Sequence, residues 1–251
     1  KTKLDVGAGN FGKELYHLRT EGRAGKFDYS AFFNKDRIGE QKDGSGKPIK
    51  GFTTRRSDGV KLGYSFSKDH DISLEWQDFR TKYAGTDVIY HGVKFPDGAP
   101  FSGWDRSGML TLQDNWKIND KWDNKFSLRK TDTKSLYFKP YGEGNNDKED
   151  EPPYSQFSDY TYHFIQEQLH FQSKRHDVLF GFDYSRSKNN QLTARGASGT
   201  YGHVWMANYS YYAQDEWHFL PWLSLTAGIR HDSPKVGSGQ QEIASHTAKS
   251  Y

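Results

Sequence analysis

The sequence predicts an all-β fold, an antiparallel up-and-down transmembrane β-barrel with about eleven strands. Two features of the chain indicate it. Short polar turns recur roughly every 50 residues, near Gly22, Asp69, Asp120, Lys174 and Pro221. On both sides of each turn, apolar and polar side chains alternate for about ten residues, as in strands that face hydrocarbon on one side and water on the other.

The composition agrees with one apolar face per strand. Only 33% of the 251 residues are hydrophobic and the mean hydropathy is −0.97, so a soluble core would be hard to fill. Aromatic residues make up 16% of the chain, whereas disordered chains are poor in them. A barrel wall keeps half of each strand and all of its loops polar, which lowers the mean hydropathy without weakening the fold.

Several other classes of protein are excluded. No run approaches the roughly 18 consecutive apolar residues of a transmembrane helix. The absence of cysteine excludes disulfides and thiol catalysis. The net charge of +3 is small and dispersed, so we expect no nucleic-acid partner. Motifs of metalloproteases, serine hydrolases, phosphate-binding loops and EF-hands are missing, so we expect no enzymatic activity, no metal site and no cofactor.

The strands follow from the alternation. The clearest is Val60–Ser67, where the even-numbered residues are apolar and the odd-numbered ones are Lys, Gly or Ser. After a turn at 68–71, Ile72, Leu74 and Trp76 alternate with polar residues, which predicts a hairpin. The same criterion predicts strands at 2–9, 12–22, 26–35, 58–67, 71–82, 106–118, 122–131, 159–172, 176–187, 209–219 and 222–231.

Long connections separate these hairpins. They are rich in Gly, Asn, Asp, Lys and Pro, and lie at about 36–57, 83–105, 132–158 and 188–208. Short turns at one rim and long loops at the other are typical of bacterial outer-membrane barrels, whose loops face outside. We therefore expect function in the loops.

Three acidic residues recur on the predicted lipid face, each a few positions before a short turn. They are Asp114, Glu167 and Asp215, and tryptophan follows nearby at 116 and 217. A carboxylate is costly at the bilayer centre but tolerated near the interface, where tryptophan is enriched. We expect a structural role for these acids at the membrane boundary.

Four segments resemble TonB-dependent outer-membrane receptors, most closely the ferric-siderophore branch. They are Lys3–Gly12, Arg175–Arg186 (RHDVLFGFDYSR), Tyr211–Trp217 (YYAQDEW) and Leu223–Asp232 (LSLTAGIRHD). Each motif is short, but their order and spacing agree, and the resemblance covers most of residues 1–232.

The resemblance implies an architecture. Such receptors have a plug domain and a TonB box ahead of a 22-stranded barrel, so residues 1–232 would be about half of such a barrel and 233–251 an irregular tail or loop. The plug domain is absent from these residues. A half-barrel leaves two unpaired edges, which cannot lie against lipid. We expect the chain to be a piece of a longer receptor.

The resemblance also implies partners and a ligand site. They are the bilayer of the outer membrane, a ferric siderophore that carries iron only as its chelate, and the energy-transducing TonB complex, reached through the plug. Aromatic rings at the mouth would pack on the chelate, and cationic side chains would balance its charge. The candidate loop or lumen residues are Tyr90, Trp104, Arg106, Tyr137, Tyr141, Tyr201 and Trp205.

Two alternatives remain open at this point. A passive porin or a small closed barrel of about 10 to 12 strands would show the same alternation. A soluble all-β protein, such as a carbohydrate-binding jelly roll, would also be rich in Tyr and Trp, but its apolar face would be covered by a second layer of protein.

Overall fold

The computed structural model describes residues 1–42, 46, 48–49, 51–90, 93–139, 153–195 and 198–244. None of them forms a helix long and apolar enough to cross a bilayer. The strands are β1 Thr2–Gly9, β2 Lys13–Ala24, β3 Phe27–Ile38, β4 Gln41–Lys42, β5 Pro48–Ile49, β6 Gly51–Ser67, β7 His70–Tyr90, β8 Val93–Lys117, β9 Trp122–Lys139, β10 Tyr154–Gln172, β11 His176–Arg195, β12 Ser198–Leu220 and β13 Leu223–Ala244.

The strands form one antiparallel up-and-down sheet, which confirms the predicted fold class and strand number. Eleven strands pair in the order β1-β2-β3-β6-β7-β8-β9-β10-β11-β12-β13, and the short β4 and β5 pair with each other. Within the large sheet, each strand pairs with the next one in chain order, and β3 pairs with β6 across the segment that contains β4 and β5. The sheet is open, with β1 and β13 as its edges, so the described residues do not form a small closed barrel.

The strands are longer than predicted at the rim opposite the short turns. Most of the predicted loops at 83–105 and 188–208 belong to β7, β8, β11 and β12, and β9 extends to Lys139. The predicted irregular tail was also wrong for residues 233–244, which continue β13, whereas 245–251 lie outside the described residues. In these extensions aromatic and polar side chains occur on both faces, as with Phe101 on the inner face and Trp104 on the outer one, so the apolar alternation is lost although backbone pairing continues.

The sheet has two chemically different faces. The outer face is defined by Val60, Leu62 and Tyr64, and the inner face by Lys61 and Gly63. On the outer face a row of apolar side chains crosses four strands, because the register pairs Leu62 with Leu74, Leu74 with Leu112, and Leu112 with Leu128. No second layer covers this row in the described part of the chain, and the Leu62 side chain is 56% exposed. This finding argues against the soluble two-layer alternative.

The inner face is polar and concave. A cavity of about 720 Å³ is lined mostly by inner-face residues of β2, β3, β6, β7 and β8, among them Arg19, Asp28, Lys61 and Gln113. A cavity lined by five neighbouring strands agrees with a sheet that curves toward this face. The fold therefore has the geometry of a barrel wall, with its polar side toward the lumen.

Each of the three outer-face acids near the short turns has a partner on a neighbouring strand. An Asp114 carboxylate oxygen lies 2.8 Å from His70 Nε2, and an Asp215 oxygen lies 2.9 Å from His176 Nδ1. Glu167 accepts a hydrogen bond from the Asn124 amide. Because every carboxylate has a polar partner, the cost of carrying it on an otherwise apolar face is reduced.

Aromatic rings surround the first of these pairs. The His70 ring stacks between Phe66 and Trp116, with centroid distances of 4.8 and 5.4 Å. Amphipathic rings of this kind are enriched where hydrocarbon meets water. The short-turn edge of the outer face thus has the composition of a membrane boundary.

Candidate functional site

A row of aromatic rings crosses the inner face near the rim opposite the short turns. It consists of Tyr83, Phe101, Tyr137 and Tyr154, from β7, β8, β9 and β10, and is called the aromatic row below. Successive ring centroids are 6.4, 6.4 and 6.2 Å apart. Aromatic pairs at such distances stabilise one another and expose flat apolar area. The row therefore forms a continuous apolar strip on an otherwise polar wall.

Two glycines make room for the first rings of this row. Gly103 lies opposite Tyr83 and Gly85 lies opposite Phe101 in the β7–β8 register. A Cβ atom at Gly85 would lie 2.8 Å from the Phe101 ring, and one at Gly103 would overlap the Tyr83 ring. Only glycine lets a ring lie across the neighbouring strand at this distance.

Polar groups border the aromatic row. The Arg195 guanidinium lies 5.9 Å from the centre of the Tyr154 ring, and the Tyr154 hydroxyl donates a hydrogen bond to Gln156 Oε1 at 3.0 Å. Burial raises the pKa of the Tyr83 phenol, and the negative charge of Asp105 adds to this effect. The phenol therefore stays protonated at neutral pH and can donate a hydrogen bond.

A second aromatic column lies farther along β10, separated from the row by the inner-face residues Gln156 and Ser158. The rings of Tyr160, Tyr162 and Phe164 stack on the inner face, with centroid distances of 6.5 and 6.3 Å and interplanar angles of 8° and 11°. The column lies between the aromatic row and the short turns, so aromatic side chains recur farther along the inner face.

The structure separates the predicted site residues. Tyr137 lies on the inner face, in the centre of the aromatic row. Trp104, Arg106, Tyr201 and Trp205 lie on the outer face, because the register pairs them with outer-face residues of neighbouring strands. They belong to strands and not to loops.

The outer-face candidates have structural partners there. Trp104 packs against Phe157 with ring centroids 6.5 Å apart, and the Tyr201 hydroxyl donates to Asn190 Oδ1 at 3.1 Å. Tyr90 belongs to β7, but its side chain is outside the described part of the structure, and Tyr141 lies outside the described residues. Of the seven candidates, only Tyr137 is seen to face the lumen side.

Arg106 takes part in an ion cluster on the outer face. Its Nε donates to Asp78 Oδ1 at 2.9 Å, and Arg80 binds the other oxygen of the same carboxylate. The Asp78 side chain is only 1% exposed. Hydrogen bonds from two guanidiniums favour the ionised form of this buried carboxyl. This arrangement holds both guanidiniums in place.

The aromatic row includes residues that sequence reasoning did not select. Phe101 was not recognised, and Tyr83 and Tyr154 were not among the chosen candidates. The sequence did contain a signal for these positions, namely the even or odd numbering of the apolar residues on the outer face. Counting forward along β7 from Trp76, Tyr83 is seven residues farther on and therefore lies on the opposite, inner face, provided that the strand is known to continue that far.

No group of three or more His, Asp or Glu side chains with the arrangement of a metal site occurs in the described ranges. The aromatic row and Arg195 bring flat apolar rings and a cationic group together on one part of the inner face. Such a surface suits flat or apolar molecules and anions.

A long single-layer sheet with an apolar outer face and a polar, aromatic inner face is the wall of a β-barrel. The chain belongs to the family of TonB-dependent receptor-like β-barrels, whose family model matches residues 9–250. The resemblance predicted from the four sequence segments is therefore confirmed. A comparison with curated protein sequences found no match.

Solved structures show the same fold at low sequence identity. The copper transporter OprC superposes with a TM-score of 0.75 at 13% identity, covering 98% of this chain and 40% of that one. The ferric yersiniabactin uptake receptor FyuA from Yersinia pestis gives 0.75 at 12% identity, with 97% and 40% covered. The ferric-catecholate import receptor Fiu from E. coli K12 gives 0.73 at 12% identity, with 94% and 45% covered. The chain thus spans less than half the length of these proteins.

Proposed function

We propose that this protein acts in the bacterial outer membrane as part of a receptor that takes up iron bound to a siderophore. The chelate would bind the aromatic row on the inner wall and then pass along the lumen. Uptake would depend on the energy-transducing TonB complex acting through a plug domain.

The aromatic row with Arg195 is the observation that carries this proposal. Siderophore chelates expose aromatic or apolar groups around the metal and often carry negative charge. Flat rings such as Tyr137 offer contact area at a low entropic cost, and a guanidinium adds charge-assisted hydrogen bonds. Two of the solved structures described above are named for the uptake of ferric siderophores, which agrees with the same class of substrate.

Binding of ferric chelates to the purified protein in detergent tests the proposal. We expect one member of a panel, comprising a ferric catecholate, a ferric hydroxamate and iron(III) citrate, to quench the intrinsic fluorescence saturably. Tyr137→Ala should weaken that binding about tenfold, since removal of a central aromatic contact typically costs 1–2 kcal/mol. The dissociation constant from the titration is the measurement.

Tyr201→Ala is the matched control, because it removes the same side chain from the outer face. It should leave chelate binding unchanged. Equal losses in the two variants, or no saturable binding by any chelate, would contradict the proposed function. Conductance through planar bilayers adds a second readout, since a stable ohmic pore without chelate binding would favour the passive porin.

A further inference from the structure

The outer face carries a row of cationic side chains that crosses five adjacent strands. The register pairs Lys35 with Arg56, Arg56 with Arg80, Arg80 with Arg106, and Arg106 with Lys134. These five residues are called the cation row. Like charges directly opposite one another destabilise a sheet, so the row has an energetic cost that its own strands do not require.

Carboxylates compensate only part of this charge. Asp58 binds Arg56 Nε at 2.7 Å, Asp78 is shared between Arg80 and Arg106, and an Asp159 oxygen lies 3.8 Å from Lys134 Nζ. Three carboxylates therefore face five cations, and the row keeps a positive excess. This excess attracts anions from outside the sheet.

The cations remain accessible on the surface of the sheet. The side chains of Arg56, Arg80, Arg106 and Lys134 are between 40% and 56% exposed. Each of the three arginines uses Nε for its carboxylate, as far as the described residues show. Their terminal nitrogens are free to contact a further group, in the planar geometry that suits phosphate.

The cation row lies at a defined height above the apolar part of the outer face. Val60, Trp76 and Leu110 are paired across their strands, and Arg56, Arg80 and Arg106 each lie four residues farther along. Four residues of a strand tilted by about 40° rise roughly 10 Å. This height corresponds to the headgroup layer of a bilayer whose hydrocarbon covers the apolar residues.

We propose that the cation row binds the phosphorylated headgroup of an anionic lipid, in the leaflet opposite the short turns. The inference rests on the membrane placement contained in the proposed function. The phosphates sit outside the barrel wall, against the arginine and lysine side chains, while the acyl chains cover Val60, Trp76 and Leu110. Asp78 holds the guanidiniums of Arg80 and Arg106 in position for this contact.

The test measures lipid binding to the purified protein by native mass spectrometry in a neutral detergent. The probe is lipid A with two phosphates, and phosphatidylcholine is the comparison. We expect lipid A to bind in preference to phosphatidylcholine, and Lys35→Gln/Lys134→Gln to weaken it about tenfold, since each cation near a charged membrane surface contributes up to about fivefold. These lysines do not contact Asp78, so their removal leaves that buried carboxylate paired.

Two further variants keep the inference falsifiable. Arg106→Gln leaves Arg80 on Asp78 and should weaken lipid A binding by about fivefold. Lys61→Gln/Lys125→Gln removes the same charge from the inner face and should leave lipid A binding unchanged. Equal weakening by the inner-face variant, or no weakening by the outer-face variants, would overturn the inference.

Occupants of the cation row other than an anionic lipid would give different results. Displacement of lipid A by an equal concentration of inorganic phosphate, or a change of oligomeric state in place of lipid loss, would also overturn the inference. Failure of the protein to insert into phosphatidylcholine vesicles would remove the membrane placement on which it rests. Loss of lipid preference with intact chelate binding would overturn this inference alone and leave the proposed function standing.

Discussion

Replacing Leu112 by arginine should prevent most of the protein from inserting into vesicles. Leu112 lies in the middle of the apolar outer face, between Leu74 on β7 and Leu128 on β9. An arginine on the lipid face near the bilayer midplane costs about 2–4 kcal/mol, because the hydrocarbon offers its charge no hydration. The measurement is the fraction of refolded protein that floats with phosphatidylcholine vesicles and resists protease, together with the urea midpoint.

Gln113→Arg supplies the control for this prediction. Gln113 is the next residue on the same strand, but it lies on the inner face and lines the polar cavity. Its arginine variant should insert as the parent protein does, with a change in stability below about 1 kcal/mol. If the two variants insert equally well, the assignment of hydrocarbon to the outer face is wrong.

Replacing Gly181 by alanine should destabilise the protein by about 2–4 kcal/mol. Tyr212 lies directly opposite Gly181, and its ring lies across the glycine, so an added Cβ atom would overlap that ring. Overpacking of this kind typically costs 1–3 kcal/mol. Displacing the ring also breaks the hydrogen bond of 2.8 Å that Gln168 Nε2 donates to the Tyr212 hydroxyl, a further loss of about 1 kcal/mol.

Unfolding in urea, followed by tryptophan fluorescence in micelles, measures this effect. Gly202→Ala is the matched control, since Gly202 lies on the inner face of the adjacent strand β12 and an added Cβ there meets no atom within 4 Å. It should be neutral or slightly stabilising. The double variant Gly181→Ala/Tyr212→Ser should have nearly the same free energy of unfolding as Tyr212→Ser alone. Full additivity of the two changes would show that the ring is not the cause.

Alternation was a reliable guide wherever one face of a strand is apolar. The segment Val60–Ser67 was predicted with its outer and inner residues correctly divided, and the hairpin to Trp76 followed from the same rule. The three acids Asp114, Glu167 and Asp215 were also assigned to the correct, outer face. Their partners, such as His70 for Asp114, could not be predicted, because they come from neighbouring strands in a register that the sequence does not show.

The candidate site was predicted less well. Trp104, Tyr201 and Trp205 were taken as loop or lumen residues because the alternation ends before they are reached. Arg106 begins the predicted strand 106–118, where it shares the even numbering of the outer-face residues Leu110 and Leu112. Beyond the apolar region both faces of a strand meet water, so the alternation of apolar and polar residues no longer shows how far the strand extends. Tyr137 was the candidate that the structure places on the inner wall.

The order of apolar and polar residues along the chain was enough to specify an antiparallel sheet with one face toward hydrocarbon, because this pattern depends only on the two-residue period of a strand. The number of strands and the positions of the short turns followed from the same period. Strand length, the aromatic row and the cation row arise from the register between strands. Register is a property of pairs of segments distant in the chain, so it became visible only when Tyr83, Phe101 and Tyr137, or Arg80 and Arg106, were brought side by side.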